Sequence, residues 1–390
     1  MRIALVTGTR PEILKNYSIV KALRRVGVAF SVIHTNQHSD YLMGGRIFEE
    51  MGYAPDLVME PPYEVGRAIT WLSQLVVELE VDTILVNGDT AASVVAAIAA
   101  LYTDRKLAHA EAGLRSFDDE MREERNRIVV DGIADYLYAY TESEASYLRN
   151  SPEIRGQVLT TGNTTLDLIV DFWDQLGPRQ AGRYAFVTLH RKELTDRPHR
   201  MRSVFRGLAR VAELFDGVVF PMHPRTRDAM SRHGIDPRLL GKVTVIPPVS
   251  GLDSLAFQRH AEIVITDSGC VQEEAYLLGV PCVTVRENTE RHQTIQHGAN
   301  RLVGFDPESL VAGVGIQLGK DATSWPPVYG TYGAGSRVVR HLLEQRDLGV
   351  GRPPSQGFQR GAAGQTLMST GRHDASLRHD SHGNGRDHSP

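Results

Sequence analysis

Three carboxylates occupy places where a predicted parallel sheet would bring them to one mouth. Asp89 follows the apolar run 83–87, Glu111 follows the run 107–110, and Glu123 opens the next helical stretch. Ligands of open parallel sheets bind beyond the carboxyl ends of the strands. Carboxylates sharing a pocket repel as anions, so their pKa values separate and one donates a proton while another accepts. A single strand-end Asp is as readily a helix cap, but three such acids predict acid/base chemistry.

The segment after the first apolar run combines cations with a helix start. Arg10 and Lys15 follow Gly8, and Pro11 suits the first turn of a helix. Exposed amides at a helix N-terminus attract anions, so we expect an anion site here. The segment is neither a dinucleotide-binding glycine fingerprint nor a P-loop. A structural turn carrying two surface cations is the alternative.

The second half of the chain offers groups that suit phosphate. Ser268 and Gly269 enter a predicted helix, so a hydroxyl and backbone amides point at an anion. Further candidates follow other apolar runs, namely His190, His223, Arg225, Glu274, Arg286 and Arg291. Either histidine alone is as readily a packing residue. We expect acids on the first half and phosphate-binding groups on the second, in a cleft that closes on its substrate.

Strand-length apolar runs alternate with helix-length amphipathic stretches in two series, before and after a breaker-rich segment at 161–183. This alternation predicts α/β architecture with two doubly wound, Rossmann-like domains. The predicted limits are 1–165 and 166–336. Residues 347–390 are rich in Gly and poor in apolar residues, so we expect a disordered tail and assign no metal to its four histidines.

Composition excludes several classes of protein. The 390 residues are 41% hydrophobic with a net charge of -4, which gives no overall field for nucleic acid or an anionic membrane. The longest apolar stretch, 91–102, is too short to span a bilayer. Two cysteines, Cys270 and Cys282, favour a reducing cytoplasm over a disulfide framework.

Ordered motifs across residues 1–345 resemble those of the UDP-N-acetylglucosamine 2-epimerase family. They are Gly8-Thr9-Arg10-Pro11-Glu12, Asn36-Gln37-His38, Gly88-Asp89-Thr90, His109-Ala110-Glu111-Ala112-Gly113-Leu114-Arg115, Glu123-Glu124-Arg125-Asn126-Arg127, Thr161-Gly162-Asn163-Thr164, His190-Arg191, Thr266-Asp267-Ser268-Gly269, Gln272-Glu273-Glu274, Thr289-Glu290-Arg291 and Tyr332-Gly333-Ala334-Gly335-Ser336.

The resemblance implies a GT-B fold whose last helix, at 337–346, returns to the first domain. It implies interconversion of UDP-GlcNAc and UDP-ManNAc by a homodimer, through elimination of UDP to a 2-acetamidoglucal and re-addition, without cofactor or metal. The positions matching acid/base residues are Asp89, Glu111 and Glu123, and His190 matches the residue beside the leaving diphosphate. The expected substrate contacts are Arg10, Lys15, Arg115, His223, Arg225, Ser268, Gly269, Glu274 and Arg291. Gln37 and His38 match part of an allosteric UDP-GlcNAc site.

The sequence departs from the family pattern at several positions. Cys270 replaces a glycine, and Gly251 and Ser254 stand where the family has aromatic residues. Without an aromatic ring for stacking, the sequence does not decide which nucleotide base the protein binds. A hydrolysing relative, which releases free ManNAc and UDP, uses the same acids and is the nearest alternative. A GT-B glycosyltransferase and a non-catalytic nucleotide-sugar sensor are further alternatives.

Overall fold

Two parallel sheets organise the chain in this computed structural model, which describes residues 1–37 and 45–347. In the first part of that range, seven strands pair in the order β3-β2-β1-β4-β5-β6-β7. They are β1 (Arg2–Thr7), β2 (Ala29–His34), β3 (Leu57–Val58), β4 (Thr83–Asn87), β5 (Lys106–Ala110), β6 (Tyr136–Ala139) and β7 (Gln157–Thr160). The helices between and after them are α1 (Arg10–Val26), α2 (Gly45–Met51), α3 (Val65–Glu78), α4 (Ala91–Tyr102), α5 (Arg122–Ile133), α6 (Glu142–Asn150) and α7 (Thr164–Asp171).

The second sheet repeats this plan with six strands among the described residues, in the order β10-β9-β8-β11-β12-β13. They are β8 (Tyr184–Thr188), β9 (Gly217–Pro221), β10 (Thr244–Ile246), β11 (Ile263–Thr266), β12 (Cys282–Thr284) and β13 (Asn300–Leu302). The helices are α8 (Lys192–Thr195), α9 (Pro198–Val211), α10 (Pro224–Arg232), α11 (Gly251–Arg259), α12 (Gly269–Leu278), α13 (His292–Gln296), α14 (Pro307–Gln317) and α15 (Ala334–Asp347).

Sequence pattern explains most of these elements. A strand covered on both faces reads as a continuous apolar run, and every residue of β4 and of β11 is buried. The prediction of two doubly wound α/β domains is confirmed, and the apolar runs 83–87 and 107–110 form β4 and β5 to within one residue. Strands β3 and β13 were not predicted, because two or three residues are too few to show a periodicity.

In each sheet, the chain first adds strands on one side of a central strand and then adds strands on its other side. β1 lies between β2 and β4, and β8 lies between β9 and β11. The loops leaving such neighbouring strands diverge and open a crevice. The chain therefore delivers Arg10 after β1, Asp89 after β4, His190 after β8 and Ser268 after β11 to crevices at the two switch points.

The last described helix, α15, packs against the first sheet's helices. Its Val338, Val339 and Leu342 join the apolar core that includes Ile19 of α1. Asp167 of α7 accepts hydrogen bonds from the amides at the start of α15, with Gly333 N at 2.6 Å. The helix is longer than the expected 337–346, and the limits 1–165 and 166–336 stay a prediction.

Some expectations fall outside the described residues. His38 lies in the undescribed segment 38–44, and the predicted tail at 348–390 is also undescribed. Within the described ranges, no helix combines the length and apolar character needed to cross a membrane.

Candidate active site

Two cations and two carboxylates form a buried group between the sheets, here called the four-charge cluster: Lys15, Glu111, Glu273 and Arg291. Lys15 pairs with one oxygen of Glu111 and Arg291 with the other. Glu273 approaches the same cations, at 3.7 Å from Lys15 Nζ and 2.7 Å from Arg291 Nε. All four side chains are buried. Because Lys15 and Glu111 come from the first half and the other two from the second, the cluster joins the halves.

Burial and neighbouring charge shape the proton affinities of this cluster. Burial raises the pKa of Glu273; Arg291 and Lys15 act against it, Glu111 and Glu274 add to it, and the result is about 7. Burial acts against the charge of Lys15, yet the surrounding acidic groups raise its pKa well above the usual value. Glu273 is therefore a carboxyl group that exchanges its proton in the neutral range.

Glu290 links the cluster to more cations. Its carboxylate lies 2.9 Å from Arg286 and 3.9 Å from each of Arg127, Arg191 and Arg291. Burial alone would raise the pKa of Glu290, but these guanidinium groups hold it well below its ordinary value. This residue therefore stays ionised and joins the surrounding arginines.

The three predicted acids each meet a different cation in this network. Glu111 pairs with Arg291, Asp89 lies 2.8 Å from Arg127, and Glu123 lies 3.8 Å from Arg191. Each of those arginines also faces Glu290. The structure thus brings the three acids into one ion-pair network, with Glu111 buried and Glu123 at its exposed rim.

Neighbouring cations keep the carboxylate of Asp89 ionised. Burial opposes it, but Arg127 above all, with Lys15 and Arg191, lowers the pKa of Asp89 below its ordinary value. Asn126 also donates a hydrogen bond to the Asp89 carbonyl at 2.8 Å. Asp89 is therefore an anion at neutral pH, held from both its side chain and its backbone.

The loop after β1 corrects one sequence prediction. The Glu12 carboxylate accepts hydrogen bonds from the amides of Gly8, at 2.7 Å, and Thr9, at 2.8 Å. These amides are therefore taken by the protein's own acid, and the expectation of open amides for an anion is wrong. Arg10 donates to the carbonyls of Val249 and Ser250, both at 2.8 Å, so it ties the first half to the second.

A histidine pair lies at the second switch point. The ring of His190 stacks on that of His223, with centroids 5.2 Å apart. Asp267 accepts a hydrogen bond from the His190 amide at 2.8 Å, and Arg225 donates to the His190 carbonyl at 3.1 Å. Burial, followed by the charges of Arg191, Arg225 and Arg10, lowers the pKa of His190 to about 3. The imidazole is neutral at physiological pH.

The remaining predicted residues take more local contacts. Ser268 is the residue before α12, and a Cβ atom on Gly269 would lie 2.1 Å from Glu290 Oε1, so a larger residue would force that carboxylate to move. Glu274 accepts a hydrogen bond from Gln258 at 2.7 Å. Gln37 accepts one from the Ala92 amide at 3.2 Å.

Arg115 lies apart from the four-charge cluster, in an interior ion pair. Its guanidinium donates to Asp131 at 2.7 Å, and His109 Nδ1 lies 2.7 Å from the same carboxylate. The other ring nitrogen of His109 lies 3.0 Å from the Gly88 carbonyl. This group ties the end of β5 to α5 and to the turn that carries Asp89.

The expected division of acids and cations between the halves is wrong. Lys15 and Arg127 are cations of the first half, while Glu273 and Glu290 are acids of the second. Four further members of the network lie inside motifs named from the sequence but were given no role in the site: Arg127, Arg191, Glu273 and Glu290. Their place in those motifs was the signal that could have found them.

Comparison with known proteins identifies the family of this chain. The family model described as UDP-N-acetylglucosamine 2-epimerase matches residues 21–343. The chain belongs to the UDP-N-acetylglucosamine 2-epimerase family. This membership makes it an isomerase of nucleotide-sugar chemistry.

The alignments with relatives in this family cover nearly the whole length of each relative. A UDP-N-acetylglucosamine 2-epimerase of Methanocaldococcus jannaschii is 34% identical over 367 residues, covering 88% of this chain and 99% of the relative. A UDP-2,3-diacetamido-2,3-dideoxy-D-glucuronate 2-epimerase of Pseudomonas aeruginosa is 32% identical over 362 residues, covering 88% and 100%.

A solved structure supports the fold assignment. The M. jannaschii UDP-GlcNAc 2-epimerase, in complex with UDP-GlcNAc and UDP, matches with a TM-score of 0.81 at 34% identity, covering 88% of this chain and 100% of the other. The expected GT-B-like architecture of two Rossmann-like domains is confirmed.

The buried pair of Arg115 and Asp131 predicts a pH-dependent contribution to stability. Burial opposes the Asp131 charge, but His109 and Arg115 lower its pKa, so its stabilisation is present above about pH 4 and is lost as pH falls through the folded-state value. Asp131→Asn should lower the free energy of unfolding at pH 7 by about 3–5 kcal/mol, because it leaves the buried Arg115 guanidinium without an anion.

Urea unfolding at pH 7 and pH 3 measures this difference. The gap between wild type and Asp131→Asn should shrink at pH 3. Asp174→Asn, an exposed aspartate in the short helix Trp173–Gln175, should change stability by no more than about 0.5 kcal/mol. An equal gap at both pH values would contradict the assignment.

Proposed function

We propose that this chain interconverts UDP-GlcNAc and UDP-ManNAc by a non-hydrolysing route. A carboxylate removes the sugar C2 proton while the C1–O bond breaks and UDP departs with the electron pair, leaving a 2-acetamidoglucal. A proton then returns to the opposite face of C2 as UDP adds back to C1. The observation that carries this proposal is the single ion-pair network that contains Asp89, Glu111 and Glu123.

The cations beside these acids suit the leaving group. Expulsion of a diphosphate supplies the driving force for removing an unactivated C2 proton, and fixed positive charge stabilises the departing anion. Lys15 and Arg291 supply that charge next to Glu111, and Arg10 adds a third cation that binds the carbonyls of Val249 and Ser250. His190, neutral because its pKa is lowered, contributes a hydrogen bond beside the diphosphate rather than a further positive charge.

Enclosure favours re-addition of UDP over hydrolysis. Glu111 is 4% exposed and Arg291 is 2% exposed. A glucal formed beside them meets bound UDP in a site that admits little bulk water. The sugar preference is a separate matter, since the P. aeruginosa relative carries the name of a 2-epimerase for a diacetamido uronic acid.

Proton NMR in deuterated water tests the proposed reaction directly. With UDP-GlcNAc we expect UDP-ManNAc to appear with deuterium at C2 of both sugars. Free ManNAc with one equivalent of UDP would instead identify the hydrolysing reaction. Absence of C2 exchange with UDP-, dTDP- and CDP-linked N-acetylhexosamines, and with the UDP-linked diacetamido uronic acid, would refute both and leave a glycosyltransferase or a sensor.

The three acids give a second prediction. Asp89→Asn, Glu111→Gln and Glu123→Gln should each lower the epimerisation rate by at least about a hundredfold, the lower range for an acid/base group. Glu120→Gln, an exposed glutamate three residues before Glu123, should retain wild-type rate. A near-normal rate in any of the first three variants would remove that residue from acid/base chemistry.

We propose further that two copies pair as a homodimer. Exposed apolar side chains lie on the neighbouring helices α4 and α5, including Leu101 at 55%, Tyr102 at 80% and Ile128 at 46% exposed. Apolar surface of this kind favours association.

Light scattering after size exclusion should give twice the chain mass, and the double variant Leu101→Glu with Ile128→Glu should give the single mass. Leu214→Glu, exposed elsewhere, should stay dimeric; a monomeric wild type would refute the dimer.

We also propose a cytoplasmic location, on the basis of the two cysteines. Cys270 and Cys282 are both free thiols, as expected where the compartment is reducing.

A further inference from the structure

Glu273 is a buried carboxylate that the proposed reaction does not use. It lies on α12, is 0% exposed, and its oxygens make no aligned hydrogen bond with any residue of the described ranges. Its close neighbours are Lys15 and Arg291, the two cations that also hold Glu111. Buried carboxylates are normally both paired and hydrogen-bonded. Glu273 has ion pairs alone, so its charge depends on cations it must share.

We propose that Glu273 is a positioning residue that controls Lys15 and Arg291. When ionised, it shares the two cations with Glu111; when protonated, it releases them to the diphosphate of the substrate. This inference rests on the proposed function, in which Lys15 and Arg291 contact that diphosphate.

Charge balance within the four-charge cluster gives the physical reason. With Glu273 ionised, two anions match two cations and the cluster offers no net charge to an entering diphosphate. A proton taken from solvent by Glu273 leaves the cluster with one net positive charge, while Lys15 and Arg291 stay cationic. Binding of a polyanion and protonation of Glu273 therefore favour each other by linkage.

The surroundings of Glu273 place this proton exchange in the neutral range. Groups from every neighbouring element face it: Lys15 of α1, Glu111 after β5, Tyr140 after β6, Cys270 and Glu274 of α12, Arg291 before α13 and Tyr329 before α15. Burial raises the pKa of Glu273, and the balance of these neighbours sets it at about 7. Glu273 is therefore mostly protonated at pH 6 and mostly ionised at pH 8.

Calorimetric titration of UDP into the full-length protein tests the proposal. Glu273→Gln carries the protonated state's charge at every pH. At pH 8 it should bind UDP at least about fivefold more tightly than wild type, the lower range for coupled sites. At pH 6 the two affinities should agree. The ionisation of UDP itself is common to both proteins and cancels in their ratio.

Two further variants keep the test specific. Glu273→Asp retains a titrating carboxyl group, so it should restore a pH-dependent affinity relative to Glu273→Gln. If Glu273→Gln fails to fold, Glu273→Asp serves as the readout. Its affinity for UDP should then differ from that of wild type by much less than fivefold at both pH 6 and pH 8. Glu308→Gln, whose side chain is 72% exposed on α14, should match wild type throughout.

The outcomes separate this inference from the function on which it rests. A residue that only braces α12 would weaken UDP binding equally at all pH values when replaced by Gln. That result, or a pH-independent ratio of affinities, would overturn the role of Glu273 while leaving the epimerase proposal intact. Absence of UDP binding to every protein would overturn both.

Discussion

The pairing of Glu111 with Lys15 and Arg291 is the interaction on which the rest of the site depends. One oxygen faces a cation of the first half and the other faces a cation of the second, so a single carboxylate joins the halves. Breaking a buried ion pair of this kind by removing one partner typically costs about 3–5 kcal/mol, because the charge left behind is neither hydrated nor paired. The same carboxylate that the proposed reaction needs as an acid or base therefore also holds the two halves of the cleft.

The backbone around Glu111 is arranged to hold it there. Glu111 has φ of 69°, in the left-handed region where a residue other than glycine carries about 1–3 kcal/mol of strain. The turn before Asp89 is tied to the same strand end, since the Gly88 amide donates to the Ala110 carbonyl at 3.1 Å and His109 contacts the Gly88 carbonyl. Asp131 then fixes His109 from α5. Two acids that follow adjacent strands are thus positioned by one set of hydrogen bonds.

The sequence was sufficient to predict residues whose position depends only on where one strand ends. Asp89 and Glu111 follow buried strands, so their placement follows from the parallel topology alone. Glu273 and Glu290 lie in motifs named from the sequence but were given no role, because a glutamate on a helix or loop resembles a solvated surface residue until packing of the second half against the first sets its partners. The Gly8 and Thr9 amides were misjudged despite a readable signal: Thr9 and Glu12 have the spacing of a capping box, which predicts that the carboxylate turns back onto those amides.

The balance of charge in the network has a consequence for selectivity. The body of the protein carries no excess of positive charge, and the cations of the cleft already face carboxylates of the protein. An entering phosphate must therefore compete with internal anions, and a ligand with one phosphate meets that competition with fewer contacts than a diphosphate, which reaches several cations at once. Affinity in such a site depends on how many existing ion pairs the ligand replaces rather than on net attraction. For the proposed substrate, discrimination in favour of a diphosphate would then depend on how many of Arg10, Lys15 and Arg291 the ligand reaches, in a protein whose overall charge is negative.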